Sequence, residues 1–123
     1  FFGTYGDKVT MKSGFDACTF GKLTFTNEYG SNAISNKNSA PGVLDVTVNI
    51  KLKSSTKTQV RTAALKAAQN KMGFTFPGPF DHVLIVVEGC YQVQGESCSW
   101  AAYAYVNHWL SLYHGNNYKY PAV

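Results

Sequence analysis

This 123-residue chain has three cysteines, which are the first candidates for residues that could do chemistry. Cys90 and Cys98 flank a polar segment, and a disulfide that closes this loop is the preferred interpretation, because small secreted domains use such bridges. A zinc site is the weaker alternative, since neither cysteine belongs to a C-x-x-C pair. Cys18 is left over, either as a buried free thiol or as one whose partner lies outside this sequence.

The histidines and serines do not complete a known catalytic arrangement. His108 and His114 lie six positions apart, which is not the spacing of a helical ligand pair, and His82 is remote in sequence. No serine lies in a G-x-S-x-G motif, and the sequence has neither a phosphate-binding loop nor a dinucleotide fingerprint. We therefore expect no catalytic residue, no metal ligand and no cofactor in this chain.

An uneven distribution of charge provides the second candidate site. The net charge is +4, and no acid lies between Asp45 and Asp81. Such a segment can attract phosphates, anionic lipid headgroups or an acidic protein surface, although a solvated face of a strand and helix is the plainer interpretation. Within this basic segment no aromatic residue occurs before Phe74, which argues against nucleic acid as the partner. We call its basic residues the basic face: Lys51, Lys53, Lys57, Arg61, Lys66 and Lys71.

The spacing of apolar residues predicts the helices and strands that position these residues in the N-terminal half. Residues 7–20 have the spacing of a short helix or turn, although Gly14 weakens the helix. Residues 22–27 alternate in polarity and predict a strand, and the composition of residues 29–42 predicts a polar, mobile surface loop. The inward positions of the predicted N-terminal helix are Val9, Met11, Phe15 and Cys18.

The second half predicts the clearest elements. Residues 43–53 alternate strictly from Leu44 and predict a strand. A helix follows with N-caps among residues 54–56, apolar positions at helical spacing up to Met72, and a stop at Gly73. An extended connection with two prolines leads to the apolar run of residues 81–87, which predicts a central buried strand. Residues 100–113 fit either an amphipathic helix or two strands. The order of elements favours one α/β (α+β) domain with a mixed sheet over residues 1–123.

The composition narrows the location and the class of the protein. Charged residues make up 15% and hydrophobic residues 45%, which excludes a largely disordered chain, and aromatic residues reach 15%. No apolar run is long enough to span a membrane, and no targeting peptide is visible. The abundance of aromatic residues together with cysteines and low charge predicts an extracytoplasmic location, in the secreted fraction or an organelle lumen.

Several segments together resemble one known family. They are G-D-K-V at residues 6–9, A-C-T-F-G-K-L-T-F at 17–25, G-V-L-D-V-T-V at 42–48, D-H-V at 81–83 and, most distinctively, W-A-A-Y-A-Y-V-N at 100–107. In this order they resemble the gametolysin-type zinc metallopeptidases of algae and diatoms, which are metzincin-like zincins. The resemblance extends over nearly the whole chain.

The resemblance implies a fold and a place for the cleft. A metzincin-like N-terminal half-domain has a twisted, mixed sheet of the five-stranded type with two backing helices. Residues 100–109 would then form the edge strand that lines the substrate cleft, followed by a strand at residues 110–113. The cleft-facing positions carried over in this way are Ala102, Tyr103, Ala104, Tyr105 and Val106.

The resemblance also limits the function that we expect. The family's H-E-x-x-H helix has no counterpart in this sequence and would follow Val123, so zinc is expected only if that helix exists. The expectation is a non-catalytic, metallopeptidase-like structural or binding subunit of an extracellular or plastid membrane complex. A protein partner or a downstream segment would cover the exposed sheet face, and peripheral membrane association is compatible with this role. The alternative is the N-terminal fragment of a secreted zinc endopeptidase that acts on extracellular-matrix or cell-wall glycoproteins.

Overall fold

Two α-helices and a three-stranded mixed sheet are the main regular elements of the residues that the computed structural model describes, which are 8–26, 42–88 and 100–114. They form a small mixed α/β domain, as the sequence predicts. The predicted mobile loop at residues 29–42 lies outside the described residues except for Gly42, and Cys90 and Cys98 lie outside them entirely.

The first helix, α1, spans Met11–Cys18 and begins at a reciprocal cap. The Thr10 hydroxyl accepts from the Ser13 amide at 3.0 Å, and the Ser13 hydroxyl accepts from the Thr10 amide at 2.8 Å. Gly14 does not prevent the helix. The predicted inward side is wrong, however: Val9, Phe15 and Cys18 are exposed, and no residue of α1 is fully buried.

Two predicted strands do not form in the described residues. Residues 22–26 have no strand, and residues 43–53 contain only a single bridge at Val43 and a 3-10 helix at Leu52–Ser54. The alternation still appears as alternating burial, because the apolar side chains from Leu44 to Ile50 are half-buried and the intervening polar ones are exposed. Alternation reports which side is covered, whereas a strand also needs a neighbour that supplies backbone hydrogen bonds.

The second helix, α2, spans Lys57–Met72 and confirms its prediction at both ends. Thr56 is the N-cap, and its hydroxyl accepts from the Gln59 amide. Gly73 takes the left-handed conformation, with φ of 86°, that ends many helices. Val60 and Met72 are buried and the alanines between them are half-buried, so one side of α2 faces the protein.

An aromatic cluster connects α2 to the sheet. Phe74, Phe76 and Phe80 lie with their ring centroids 5.6 to 5.8 Å apart, and Phe76 is buried. The Phe76–Pro77 peptide bond is cis. The residues predicted to be an extended connection therefore form turns around three packed rings.

The described sheet consists of β1 (Val83–Val87), β2 (Ala102–Ala104) and β3 (Leu110–His114) in the order β1-β3-β2. β3 is central; it pairs parallel with β1 and antiparallel with β2. Within the described sheet, the prediction that residues 81–87 form a central buried strand is wrong, because β1 is half-buried and stands at one end of the strand order. Of the two alternatives for residues 100–113, the strands are right.

The central strand of the sheet contributes two of the buried apolar side chains of the described residues. Leu110 and Leu112 of β3 are 3% and 0% exposed, because β3 has a neighbouring strand on each side. The described residues contain three strands, and the five-stranded, metzincin-like arrangement that the resemblance implies remains a prediction.

Candidate functional site

The two candidate sites predicted from distant parts of the sequence meet in the structure. The Lys57 ammonium lies over the ring of Tyr103, 5.6 Å from its centroid. The Arg61 guanidinium lies at the same distance over the ring of Tyr105 and also donates a hydrogen bond to the Tyr105 hydroxyl. The N-terminal half of α2 therefore packs beside β2, and we call these contacts the cation–tyrosine pairs.

The local structure explains why two such pairs form side by side. Lys57 and Arg61 are four residues apart on α2 and share one side of the helix. Tyr103 and Tyr105 are two residues apart and share one side of β2 and its extension, with ring centroids 5.9 Å apart. Four residues of helix rise about 6.0 Å, and two residues of strand rise about 6.6 Å. The two spacings match closely enough for each cation to meet its own ring.

The structure divides the rest of the basic face. Lys71 donates from its ammonium to the backbone carbonyl of Asp45 at 2.8 Å, which ties the end of α2 to the segment at residues 43–50. Lys66 is exposed, and it follows Lys57 by two and a half helical turns, which places it on the opposite side of α2. Lys51 is exposed, and the side chain of Lys53 lies outside the described part of the structure.

A continuous series of rings extends the tyrosine surface along the β2–β3 hairpin. The Trp100 ring contacts Tyr103 at 5.0 Å, and the His108 ring contacts Tyr105 at 5.5 Å. His108 also stacks on Trp109 at 5.0 Å. At the tip between them, Val106 is 92% exposed. The predicted cleft residues thus lie on one hairpin, but Val106 projects into solvent at its turn.

The hydrogen bonds of β2 determine which backbone groups face outward. The His114 amide donates to the Ala101 carbonyl at 3.2 Å, so these two residues form a hydrogen-bonded pair. Hydrogen-bonded and non-hydrogen-bonded pairs alternate along an antiparallel ladder, and Tyr103 opposite Leu112 is therefore the next bonded pair. Ala102 and Ala104 consequently point their amides and carbonyls away from β3.

The environment of Tyr103 favours its neutral form. Burial raises the pKa of the Tyr103 hydroxyl, the neighbouring Tyr105 raises it further, and Arg61 opposes both effects. Tyr103 is therefore an uncharged hydrogen-bonding group at neutral pH, and the positive charge of the site stays on Lys57 and Arg61.

A histidine–serine contact is the polar feature that sequence reasoning missed. Nε2 of His82 lies 2.8 Å from the hydroxyl of Ser111. Ser111 is 6% exposed on the central strand, and partial burial of the His82 ring lowers the pKa of that imidazole. The contact gives a hydrogen-bond partner to a hydroxyl that is buried in the sheet. The only signal in the sequence was the polar position inside the apolar L-S-L of β3.

The described residues contain no cluster of three His, Cys, Asp or Glu side chains that could hold a metal ion. Cys18 is an exposed free thiol, so the interpretation of it as a buried thiol is wrong. The predicted Cys90–Cys98 disulfide and its zinc alternative concern residues outside the described ranges. None of the described helices is long and apolar enough to cross a membrane.

Comparison with known proteins gives no independent support for a family. No protein-family model, no curated protein and no solved structure matches this chain. The surface formed by α2 and β2 therefore provides the main physical basis for proposing a function.

Proposed function

We propose that this chain is a non-catalytic, metallopeptidase-like domain that serves as a binding subunit and takes an extended polypeptide along the outer edge of β2. The observation that carries the proposal is the open edge of that strand. β2 pairs with β3 on one side, and within the described residues it is the outermost strand of the sheet.

Strand addition requires outward-pointing backbone groups and room for a second chain. Ala102 and Ala104 supply two amides and two carbonyls on the outer edge, as the hydrogen-bond alternation of β2 requires. Both side chains are exposed methyl groups, so neither blocks the approach of another backbone. The edge therefore offers both the bonding pattern and the space that an added strand needs.

The tyrosines beside this edge would contribute side-chain contacts. Tyr103 is half-buried and Tyr105 is 43% exposed, and each presents an amphipathic ring next to the open backbone. Tyrosine and arginine are among the residues that most often dominate binding energy at protein interfaces. Their packing against α2 holds the rings in place before a ligand arrives, which lowers the entropy cost of binding.

Two observations support a role without catalysis. The sequence contains no H-E-x-x-H motif. The one serine–histidine contact of the described residues has its serine enclosed in the sheet. A peptide bound on β2 would therefore be held, and we expect it to be recovered uncleaved.

The test is a pair of substitutions at one position of the edge. Ala104→Pro removes an outward amide that does not belong to the β2–β3 hydrogen bonds, and Ala104→Val keeps that amide while adding a larger side chain. Binding is measured by fluorescence anisotropy with a labelled peptide of alternating valine and glutamine. We expect the proline variant to bind at least tenfold more weakly, and the valine variant to bind like the parent chain.

Circular dichroism and thermal unfolding of both variants check that the fold is intact. Ala102→Pro, at the other outward position, provides a second variant if Ala104→Pro is unstable. Equal binding by the parent chain and a folded proline variant would refute strand addition. Cleavage of the peptide in the presence of zinc would favour the endopeptidase alternative.

A further inference from the structure

We infer that the polypeptide that β2 accepts carries acidic side chains at alternate positions, one opposite Lys57 and the next opposite Arg61. This inference rests on the proposed strand addition and adds the class of sequence that the site would select.

The spacing of the two cations supports an alternating pattern. Side chains that point to one side of an added strand recur every two residues, about 6.6 Å apart. Lys57 and Arg61 are separated by about 6.0 Å along the axis of α2, and their contacts with Tyr103 and Tyr105 show that this repeat is already in register with β2. A strand beside β2 would therefore place successive same-side residues next to successive cations.

The charges of the two cations are available to a ligand. No acidic residue of the described ranges forms an ion pair with Lys57 or Arg61. The ion pair found in those ranges joins Lys12 to Asp16 on α1. Lys57 is exposed. Both cations lie over tyrosine rings, which orients them without neutralising them, so a carboxylate would meet positioned partners.

A peptide fits these observations better than a nucleic acid. The cations cover one face of each tyrosine ring, which restricts the stacking surface that bases use on single-strand-binding proteins. The outward amides and carbonyls of β2 match another backbone of the same kind, and a sugar–phosphate chain has no amide to donate to those carbonyls. Carboxylates on an extended peptide would use both the edge and the cations.

The experiment compares three labelled peptides of equal length with blocked ends. The first alternates glutamate with valine, the second alternates glutamine with valine, and the third contains the glutamates in one block and the valines in another. Binding is measured by anisotropy to the parent chain, to the double variant Lys57→Gln/Arg61→Gln and to Lys66→Gln. The last variant removes one positive charge from the opposite side of α2 and serves as the control for position.

We expect the alternating glutamate peptide to bind about tenfold more tightly than its glutamine counterpart, which corresponds to about 1.4 kcal/mol. The preference should disappear in the double variant and persist in Lys66→Gln. It should also weaken as salt is raised from 50 to 300 mM, because the ion pairs are solvated.

Three results would overturn the inference. They are equal binding of the alternating and block glutamate peptides, an unchanged preference in the double variant, and tighter binding of a labelled oligothymidylate than of any peptide. If the glutamine peptide binds and loses affinity in Ala104→Pro while glutamate adds nothing, the acidic preference fails but strand addition stands. If no peptide binds, both are refuted.

Discussion

The contact between Arg61 and Tyr105 connects α2 to the β2–β3 hairpin, and its contribution to the free energy of unfolding can be measured by a double-mutant cycle. Tyr105→Phe removes the hydroxyl that accepts from Arg61 and retains the ring under the guanidinium. Arg61→Met removes the charge and the donor together and keeps an unbranched side chain of similar length. The coupling free energy between these two substitutions therefore reports the hydrogen bond, separately from the cation–π contact.

The expected size follows from the exposure of the pair. A hydrogen bond with one charged partner contributes about 1.5–3 kcal/mol when buried, but Tyr105 is 43% exposed and water competes for both groups. We therefore expect a coupling of about 0.5–1 kcal/mol, at the level of exposed charged pairs. With Tyr105→Leu in place of phenylalanine, the cycle also includes the cation–π contact, which adds about 0.5 kcal/mol at an exposed site.

The assay is urea unfolding followed by intrinsic fluorescence. The chain has two tryptophans, Trp100 and Trp109, and both belong to the ring series of this hairpin. The control cycle pairs Tyr105→Phe with Lys66→Gln, and we expect its coupling to be zero within error, because Lys66 lies on the other side of α2. A coupling below about 0.3 kcal/mol for Arg61 and Tyr105 would equal the scatter between independent sites. It would refute the claim that their hydrogen bond stabilises the contact between α2 and the hairpin.

Three further predictions concern the sheet and the absence of catalysis. Leu112→Ala should lower the free energy of unfolding by about 2–5 kcal/mol, because the side chain is 0% exposed. Val106→Ala, at a position 92% exposed, should change that free energy by less than about 0.5 kcal/mol. Similar losses in the two variants would contradict the described packing. The pKa of His82 is lower in the folded chain than its ordinary value of 6.5, so the folded state takes up fewer protons than the unfolded state as the pH falls below 6.5. The stability that His82 contributes should be fully present above that pH and decrease below it, and a His82→Gln variant with the same pH dependence of its unfolding midpoint would contradict this. Elemental analysis of the purified chain should find no stoichiometric zinc, whereas one zinc per chain would favour the endopeptidase alternative.

The elements that could be predicted from sequence are those whose stability is local. α2 begins at Thr56 and ends before Gly73 as predicted, because a capping hydroxyl and a left-handed glycine act within a few residues of the helix ends. α1 lies within residues 7–20, which the spacing of apolar side chains predicts as a short helix or turn, but the inward side inferred from that spacing is wrong. A short helix with an apolar stripe still needs a partner surface, and the sequence does not say whether one is present.

The strands were harder to predict because pairing is not local. Residues 43–53 have the clearest alternation in the chain and yet form no ladder in the described structure. Among the strands that the structure describes, the most apolar run forms β1 at the margin, whereas the central strand is β3, which contains Ser111. The hydroxyl of Ser111 is accommodated there by His82, which lies 29 residues earlier and just before β1. Apolar content alone therefore does not rank strands from the centre to the edge.

The candidate site was also hard to predict from the sequence, because its contacts join residues that are far apart along the chain. Along the chain, the basic segment contains no aromatic residue before Phe74, and this argued against nucleic acid as the partner. In the fold, Tyr105 reaches Arg61 across 44 positions of sequence. The helical repeat of the cations and the strand repeat of the tyrosines differ by about 0.6 Å. Two successive pairs therefore stay in register, and the mismatch grows with each further pair. A surface of this construction selects a short motif, so a peptide with two alternate acids should satisfy it, and extending the peptide by a third acid should add only the salt-sensitive attraction of an unpaired charge.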